Sequence, residues 1–282
     1  MVNKNKQISI LGCGWLGLPL AESLIKKGFS VNGSTTTLEK ISILKDSEIQ
    51  PFLVTLNAVE GLNDDNKINL FLENSEILII DIPPKLRGNS SENFTAKIQN
   101  LIPFIEKSSV EKVVFISSTS VYADMPLDSA RGDKSYITEN TTTDPDTESG
   151  KQLLKAENLL QCNKNFKTTI IRFGGLIGGN RHPIHFLAGR KNLENPQAPI
   201  NLIHQTDCIG IIETIINQDF FGEIYNAVAP FHPTRKSYYL QKATELKLHL
   251  PEFDEDKPSN GKTVLSSKIE INLNYKFQHK TL

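Results

Sequence analysis

Ile8-Ser9-Ile10-Leu11-Gly12-Cys13-Gly14-Trp15-Leu16-Gly17 is the stretch on which the reading of the fold turns. A short apolar run leads into three glycines spaced G-x-G-x-x-G, and Leu16, Leu20, Ala21, Leu24 and Ile25 then recur at helical spacing. This pattern predicts a strand, a tight turn and a helix. Gly28 stops the helix and residues 29–32 return to strand character, so the opening segment has the size of a βαβ unit. Pro19 falls near the helix start, where a missing backbone donor costs least.

Further along, residues 77–82, 112–117 and 168–173 are apolar runs without alternation, as expected of strands covered by helices on both faces. Helical patterns at 94–107 and 150–162 separate them, and the repeated β-α order is an α/β signature. The expected fold is therefore a Rossmann-type doubly wound parallel sheet with a small C-terminal substrate-side subdomain. Residues 1–175 would form the dinucleotide-binding core. Residues 176–282 would add some elements to it, including a helix at 207–217 and a strand at 223–228, and build the subdomain from the rest. The polar tail at 251–282 is expected to fold over the strand ends.

Composition narrows the function classes. The 282 residues carry 31 basic and 32 acidic side chains, a formal net charge of -1, which gives no reason to expect nucleic acid or an anionic membrane as partner. Cys13, Cys162 and Cys208 are too scattered for a disulfide framework and read as reduced thiols of a cytoplasmic protein. No apolar run approaches the roughly 18 residues of a membrane span. The six histidines show no metal-ligand spacing, so no metal site is expected.

In the glycine turn, Gly12 permits the tight bend, Gly14 lets backbone amides approach a pyrophosphate, and Gly17 allows close packing of helix on strand. Unpaired N–H groups and the positive end of the helix dipole then face an anion. Gly12, Gly14, Trp15, Leu16 and Gly17 are the expected pyrophosphate contacts; a purely structural turn is the alternative. At the end of the second strand, where an acid normally receives the adenosine ribose hydroxyls of NAD, the chain reads Gly33-Ser34-Thr35-Thr36-Thr37. Ser34, Thr35 and Thr36, with Lys40 in reach, tolerate a 2′-phosphate better than a carboxylate would. NADP is the expected cofactor, with NAD second.

The stretches Val114-Phe115-Ile116-Ser117-Ser118-Thr119-Ser120-Val121-Tyr122, Ile171-Arg172-Phe173-Gly174-Gly175-Leu176-Ile177-Gly178, Asn201-Leu202-Ile203-His204 and Glu223-Ile224-Tyr225-Asn226, together with the glycine turn, resemble the extended short-chain dehydrogenase/reductases. Gly14 to Pro19, Gly33 to Thr37 and Arg181-His182-Pro183 resemble an atypical, epimerase-like group within them. The resemblance implies a catalytic serine after the fifth strand, matched by Ser118, and a Tyr-x-x-x-Lys pair on the next helix. That pair is missing: Ser149 stands in the tyrosine's place and Leu153 in the lysine's. The Tyr238-x-x-x-Lys242 match lies far along the chain and is read as chance.

Replacement groups are Tyr122, following the serine-rich strand end, and His182, on a loop expected to cover the substrate. Arg181 on the same loop is suited to bind a substrate carboxylate or phosphate. His204 and Asp207 read as structural, with Asp207 able to cap the helix that follows. The expected function is an NAD(P)-dependent oxidoreductase or epimerase-like enzyme acting on an unidentified small polar metabolite, with Ser118, Tyr122 and His182 as catalytic candidates. The alternative is a catalytically inactive NADP-binding sensor or partner-binding protein. Substrate and oligomeric state are left open.

Overall fold

The structure, a computed structural model, describes residues 6–84, 86, 92–127 and 136–282. The first half alternates regularly: β1 (Gln7–Leu11), α1 (Gly17–Lys26), β2 (Ser30–Thr35), α2 (Lys40–Asp46), β3 (Gln50–Leu53), α3 (Asp65–Leu72), β4 (Ser75–Ile80), α4 (Phe94–Lys107) and β5 (Lys112–Ser118). Two short strands, β6 (Met125–Pro126) and β7 (Tyr136–Ile137), precede α5 (Glu148–Gln161) and β8 (Lys167–Phe173). Then come β9 (Gly175–Ile177), α6 (Ile184–Leu187), β10 (Leu202–His204), α7 (Gln205–Gln218) and β11 (Ile224–Ala227). The tail contributes α8 (Arg235–Glu245), β12 (Asn260–Gly261), β13 (Thr263–Val264) and α9 (Ser267–Asn272).

Seven strands pair in parallel in the order β3-β2-β1-β4-β5-β8-β11, a Rossmann-type sheet whose order reverses between β1 and β4. The inner strands β1, β4, β5 and β8 are mostly buried, as their apolar runs require when helices lie on both faces, whereas the edge strand β3 is not. One core joins α1 and α7 to the sheet through Leu20, Leu24, Ile211 and Ile215; the other joins α3, α4 and α5 through Phe71, Ile98, Leu101 and Ala156. A third cluster, around Ile184, Leu202, Tyr238 and Ala243, lies outside the main sheet. No helix among the described residues is long and apolar enough to cross a membrane.

The tail is tied down by an acid. Asp207 accepts hydrogen bonds from the Tyr275 hydroxyl (2.9 Å) and from the backbone N–H groups of Gln278 (2.7 Å) and His279 (3.0 Å). The cap of α7 is His204 instead, whose Nδ1 accepts from the Thr206 N–H. Ile269, Leu273 and Phe277 follow into the α1/α7 core.

Between α5 and the sheet lies a buried polar network. Arg172 on β8 grips Glu157 on α5 with Nε and Nη2, the shortest bond being 2.6 Å, and Glu157 also accepts from Ser117. Removing one partner of such a pair leaves an uncompensated buried charge, which costs about 3–5 kcal/mol. Glu157→Ala is therefore expected to lose about 3–5 kcal/mol of unfolding free energy in urea titrations, whereas a loss under about 1 kcal/mol would show that Arg172 finds another partner.

Candidate functional site

The carboxyl ends of β1, β2, β3, β4 and β5 open onto two clefts, at the place where strand order reverses. The first, about 280 Å³, runs from Gly12 and Gly14 past Ser34, Thr35, Thr36, Thr37 and Lys40 to Val54–Leu56. The second, about 300 Å³, is walled by Gly14, Trp15, Leu16, Ser117, Ser118, Leu153, Leu176 and Arg181.

The glycine turn is built by close approach. A Cβ on Gly12, which sits at φ +107°, would lie 2.4 Å from the Asp81 carbonyl oxygen, and one on Gly17 would lie 2.3 Å from the Gly12 oxygen. Both positions demand glycine for internal reasons. Gly14 is different. Its φ is unexceptional and a Cβ there would meet nothing within 4 Å, so the space beside it belongs to the cleft. Helix α1, like α2, α6 and α9, has no side-chain cap; within its first turn the Leu18 and Leu20 N–H groups bond the Gly14 and Leu16 carbonyls and Pro19 has none to offer. The Gly17 N–H faces the Asp81 carboxyl, while Trp15 and Leu16 line the second cleft beside the open space at Gly14, where their N–H groups fit a pyrophosphate.

Ser34 does not point freely into the first cleft. Its Oγ accepts the Gly12 N–H (2.9 Å), pinning the turn to β2, and the Cys13 N–H adds a bond to the Ser34 carbonyl (2.8 Å). Thr35 Oγ1 accepts from Thr37 N–H and shapes the turn that follows β2. Thr36, Thr37 and Lys40 are exposed at this end, and among the described lining residues Glu92 is engaged with Lys97 (2.7 Å). Trp15 is fixed through its carbonyl, which accepts from Gln205 Nε2 (2.6 Å), and the Arg181 guanidinium lies 4.8 Å from the centre of its indole. Arg181 thus stands over the glycine turn.

The three catalytic candidates are not brought together. Ser118 lines the second cleft, its Oγ accepting from the Ser120 N–H (3.2 Å). Tyr122 is 1% exposed; its hydroxyl donates to Asn226 Oδ1 (2.9 Å) and accepts from Arg172 Nη1 (2.7 Å). Burial raises its pKa, against the pull of Arg172. His182 sits with Tyr238 in the satellite cluster. Its Nδ1 accepts from the Ile184 N–H (3.1 Å), leaving Nε2 to donate to the Tyr238 hydroxyl (2.9 Å). Burial, with Lys242 nearby, pushes its pKa down to about 4, so it is uncharged at neutral pH. Neither ring lines the described clefts. Leu153, from α5, forms part of the wall beside Ser118.

One group in the clefts escaped the sequence reading. Asp81, the first residue after β4, lines both clefts. Burial pushes its carboxyl up to about 8, opposed by the Gly17 backbone N–H and by the Arg181 charge. In the sequence it passes for the penultimate residue of an apolar strand. The available signal was a lone carboxylate interrupting that run at the cleft end.

No protein-family model matches the chain. Protein YeeZ of Escherichia coli K12 is 33% identical over 275 residues, spanning 97% of this chain and 96% of that protein. Among solved structures, a short-chain dehydrogenase/reductase superfamily protein from Agrobacterium tumefaciens with bound NAD superposes with TM-score 0.76 at 14% identity, covering 96% of this chain and 92% of that one. UDP-N-acetylglucosamine 4-epimerase from Bacillus cereus gives TM-score 0.73 at 16% identity, covering 97% and 91%.

Because folded Asp81 holds its proton far more tightly than an unfolded chain does, the stability it contributes is complete below the ordinary carboxylate range and is lost as pH rises toward about 8. Asp81→Asn removes that loss. Its thermal midpoint is expected to exceed that of the parent by several degrees at about pH 8, the gap closing toward about pH 5. Equal midpoints at both pH values would mean that Asp81 titrates normally.

Proposed function

Since the chain belongs to the family of Escherichia coli Protein YeeZ and has the fold of the extended short-chain dehydrogenase/reductases, we propose that it binds NADP, or NAD as second choice, along the joined clefts. We further propose that it acts as an epimerase-like oxidoreductase on a small polar metabolite. The observation that carries this is the meeting of the two clefts at Gly14, on the glycine turn that leads into α1. Gly14 and the N–H groups of Trp15, Leu16 and Gly17 would hold the diphosphate, Thr35, Thr36, Thr37 and Lys40 the adenosine end, and the side chains of Trp15, Leu16 and Leu153 the nicotinamide end. Lys40 and the absence of a carboxylate at residues 33–37, the end of β2 and the turn after it, favour NADP. The nicotinamide supplies hydride transfer when bound.

For the proton that must accompany hydride transfer, Ser118 lines the second cleft, and Asp81 lies at its edge with a carboxyl able to hold or release a proton near neutrality. Arg181 offers its cation to a substrate anion or to the cofactor's own diphosphate.

A second reading has an observation of its own. With Leu153 in the cleft wall and the Tyr122 and His182 rings engaged elsewhere, no phenol or imidazole among the described residues lines the cleft. A chain that binds the dinucleotide and reports its presence to a partner needs no more.

Titration of NADPH and NADH by nicotinamide fluorescence is expected to saturate, with NADPH the tighter ligand. Gly14→Val is expected to abolish binding while its thermal midpoint stays within about 2 °C of the parent, since the new side chain enters the cleft. Retained affinity in that variant would remove the cleft as the site. Turnover distinguishes the two readings: oxidation of NADPH with any of a panel of ketones, aldehydes and sugar nucleotides supports the enzyme. Tight binding with no turnover, and a protein partner whose capture changes with NADPH, supports the sensor.

A further inference from the structure

The two clefts share Gly14, Asp81, Ile82 and Pro83, and among these four Asp81 alone brings a polar side chain. A molecule long enough to occupy both clefts crosses this seam. In a dinucleotide, the part that lies between the two halves is the diphosphate. A carboxylate at that place repels an anion; a carboxylic acid does not, and its O–H is a donor.

Asp81 is half-buried at the seam, and burial pushes its carboxyl up to about 8. From the glycine turn, the buried Cys13 thiol is pushed up to about 12, by burial first and the Asp81 charge second. From α7, the buried Cys208 thiol is raised by burial, then by Asp207 and Asp81. Both thiols are neutral through the physiological range, so they bring no charge. Lys40 acts on Cys13 from the adenosine end. Arg181, from the loop after β9, and the Gly17 N–H at the start of α1 favour the ionised carboxyl, yet burial outweighs them. An incoming diphosphate competes for those same two partners, Arg181 and the amino end of α1, and so removes what favours ionisation.

We propose that Asp81 belongs to the diphosphate subsite: as a carboxylic acid it donates a hydrogen bond to a phosphate oxygen, and binding of the dinucleotide is accompanied by uptake of a proton wherever Asp81 is ionised in the free protein. This rests on the reading that the joined clefts hold NAD(P). It makes affinity a function of pH with a defined sign. Affinity is level while free Asp81 is protonated, and above about pH 8 it falls by up to about tenfold for each further pH unit.

The test uses NADH, which has no 2′-phosphate to titrate, with the full chain and with Asp81→Asn, which keeps the shape and a donor but cannot ionise. Dissociation constants are measured at about pH 6.5, 8 and 9.5. Calorimetry at the highest pH, in two buffers of different ionisation enthalpy, counts the protons taken up. The expected result is a loss of about tenfold or more between the two higher pH values and uptake of close to one proton in the parent, with level affinity and no uptake in Asp81→Asn. Level affinity in the parent, or the same fall in both proteins, overturns the role of Asp81. Failure of both proteins to bind NADH and NADPH at every pH overturns the cleft reading itself, and the inference with it.

Discussion

The Asp81 carbonyl lies 2.4 Å from where a Gly12 Cβ would stand, and that contact sets the spacing between the end of β4 and the turn after β1. Everything at the site follows from it. With β4 so close, the Asp81 N–H reaches the Leu11 carbonyl (2.9 Å), and Ser34 closes the other side by receiving the Gly12 N–H. The turn is clamped between two neighbouring strands before any ligand arrives. Gly17 is pressed against Gly12, which brings the amino end of α1 to the cleft. The cost of exposing that uncapped end is offset elsewhere, by Leu20, Ala21 and Leu24 buried on the sheet and by Lys27 and Ser23 bonded to Glu213 of α7.

The same closeness explains why an acid can stand at the seam. Asp81, itself half-buried, leaves a strand whose preceding four residues are buried, so its carboxyl stands on an apolar floor at the edge of both clefts. Burial dominates its titration for that reason. Glu157 illustrates the opposite solution: fully buried where Asp81 is half-buried, it is gripped by Arg172 and Ser117 and is fully committed to the fold. A buried acid with a complete set of partners is architecture, whereas one whose partners are shared with a ligand site can respond to that ligand.

Much of this was legible in the sequence, and the parts that were not share a cause. The first βαβ unit, α4 and the strands at 77–82, 112–117 and 168–173 are long, locally patterned segments, and they appear with boundaries shifted by a few residues or none. The edge strand β3 and the short helices α2 and α3 were passed over because four to eight residues with mixed polarity give no period to read. Side-chain roles proved harder. Tyr122 follows a strand end that faces the cleft, but its hydroxyl is claimed by Arg172, 50 residues on, and by Asn226, 104 residues on. His182 is claimed in the same way by Tyr238, 56 residues on, the tyrosine of the motif taken for chance. Long-range hydrogen bonds leave no local trace.

The chemistry of the site turns on α5. Where the resemblance places a lysine, Leu153 is almost wholly buried yet still forms part of the wall beside Ser118. The lysines of this helix, Lys151 and Lys155, are exposed on other faces. An ammonium that would lower the pKa of a neighbouring hydroxyl is therefore absent from this wall, and a serine left without one is a poor acid. Among the described residues, the carboxyl common to both clefts is that of Asp81, at their seam and across from this wall. The glycine turn, with open space at Gly14, thus stands beside a helix α5 that carries Ser149 and Leu153 where the resemblance calls for a tyrosine and a lysine.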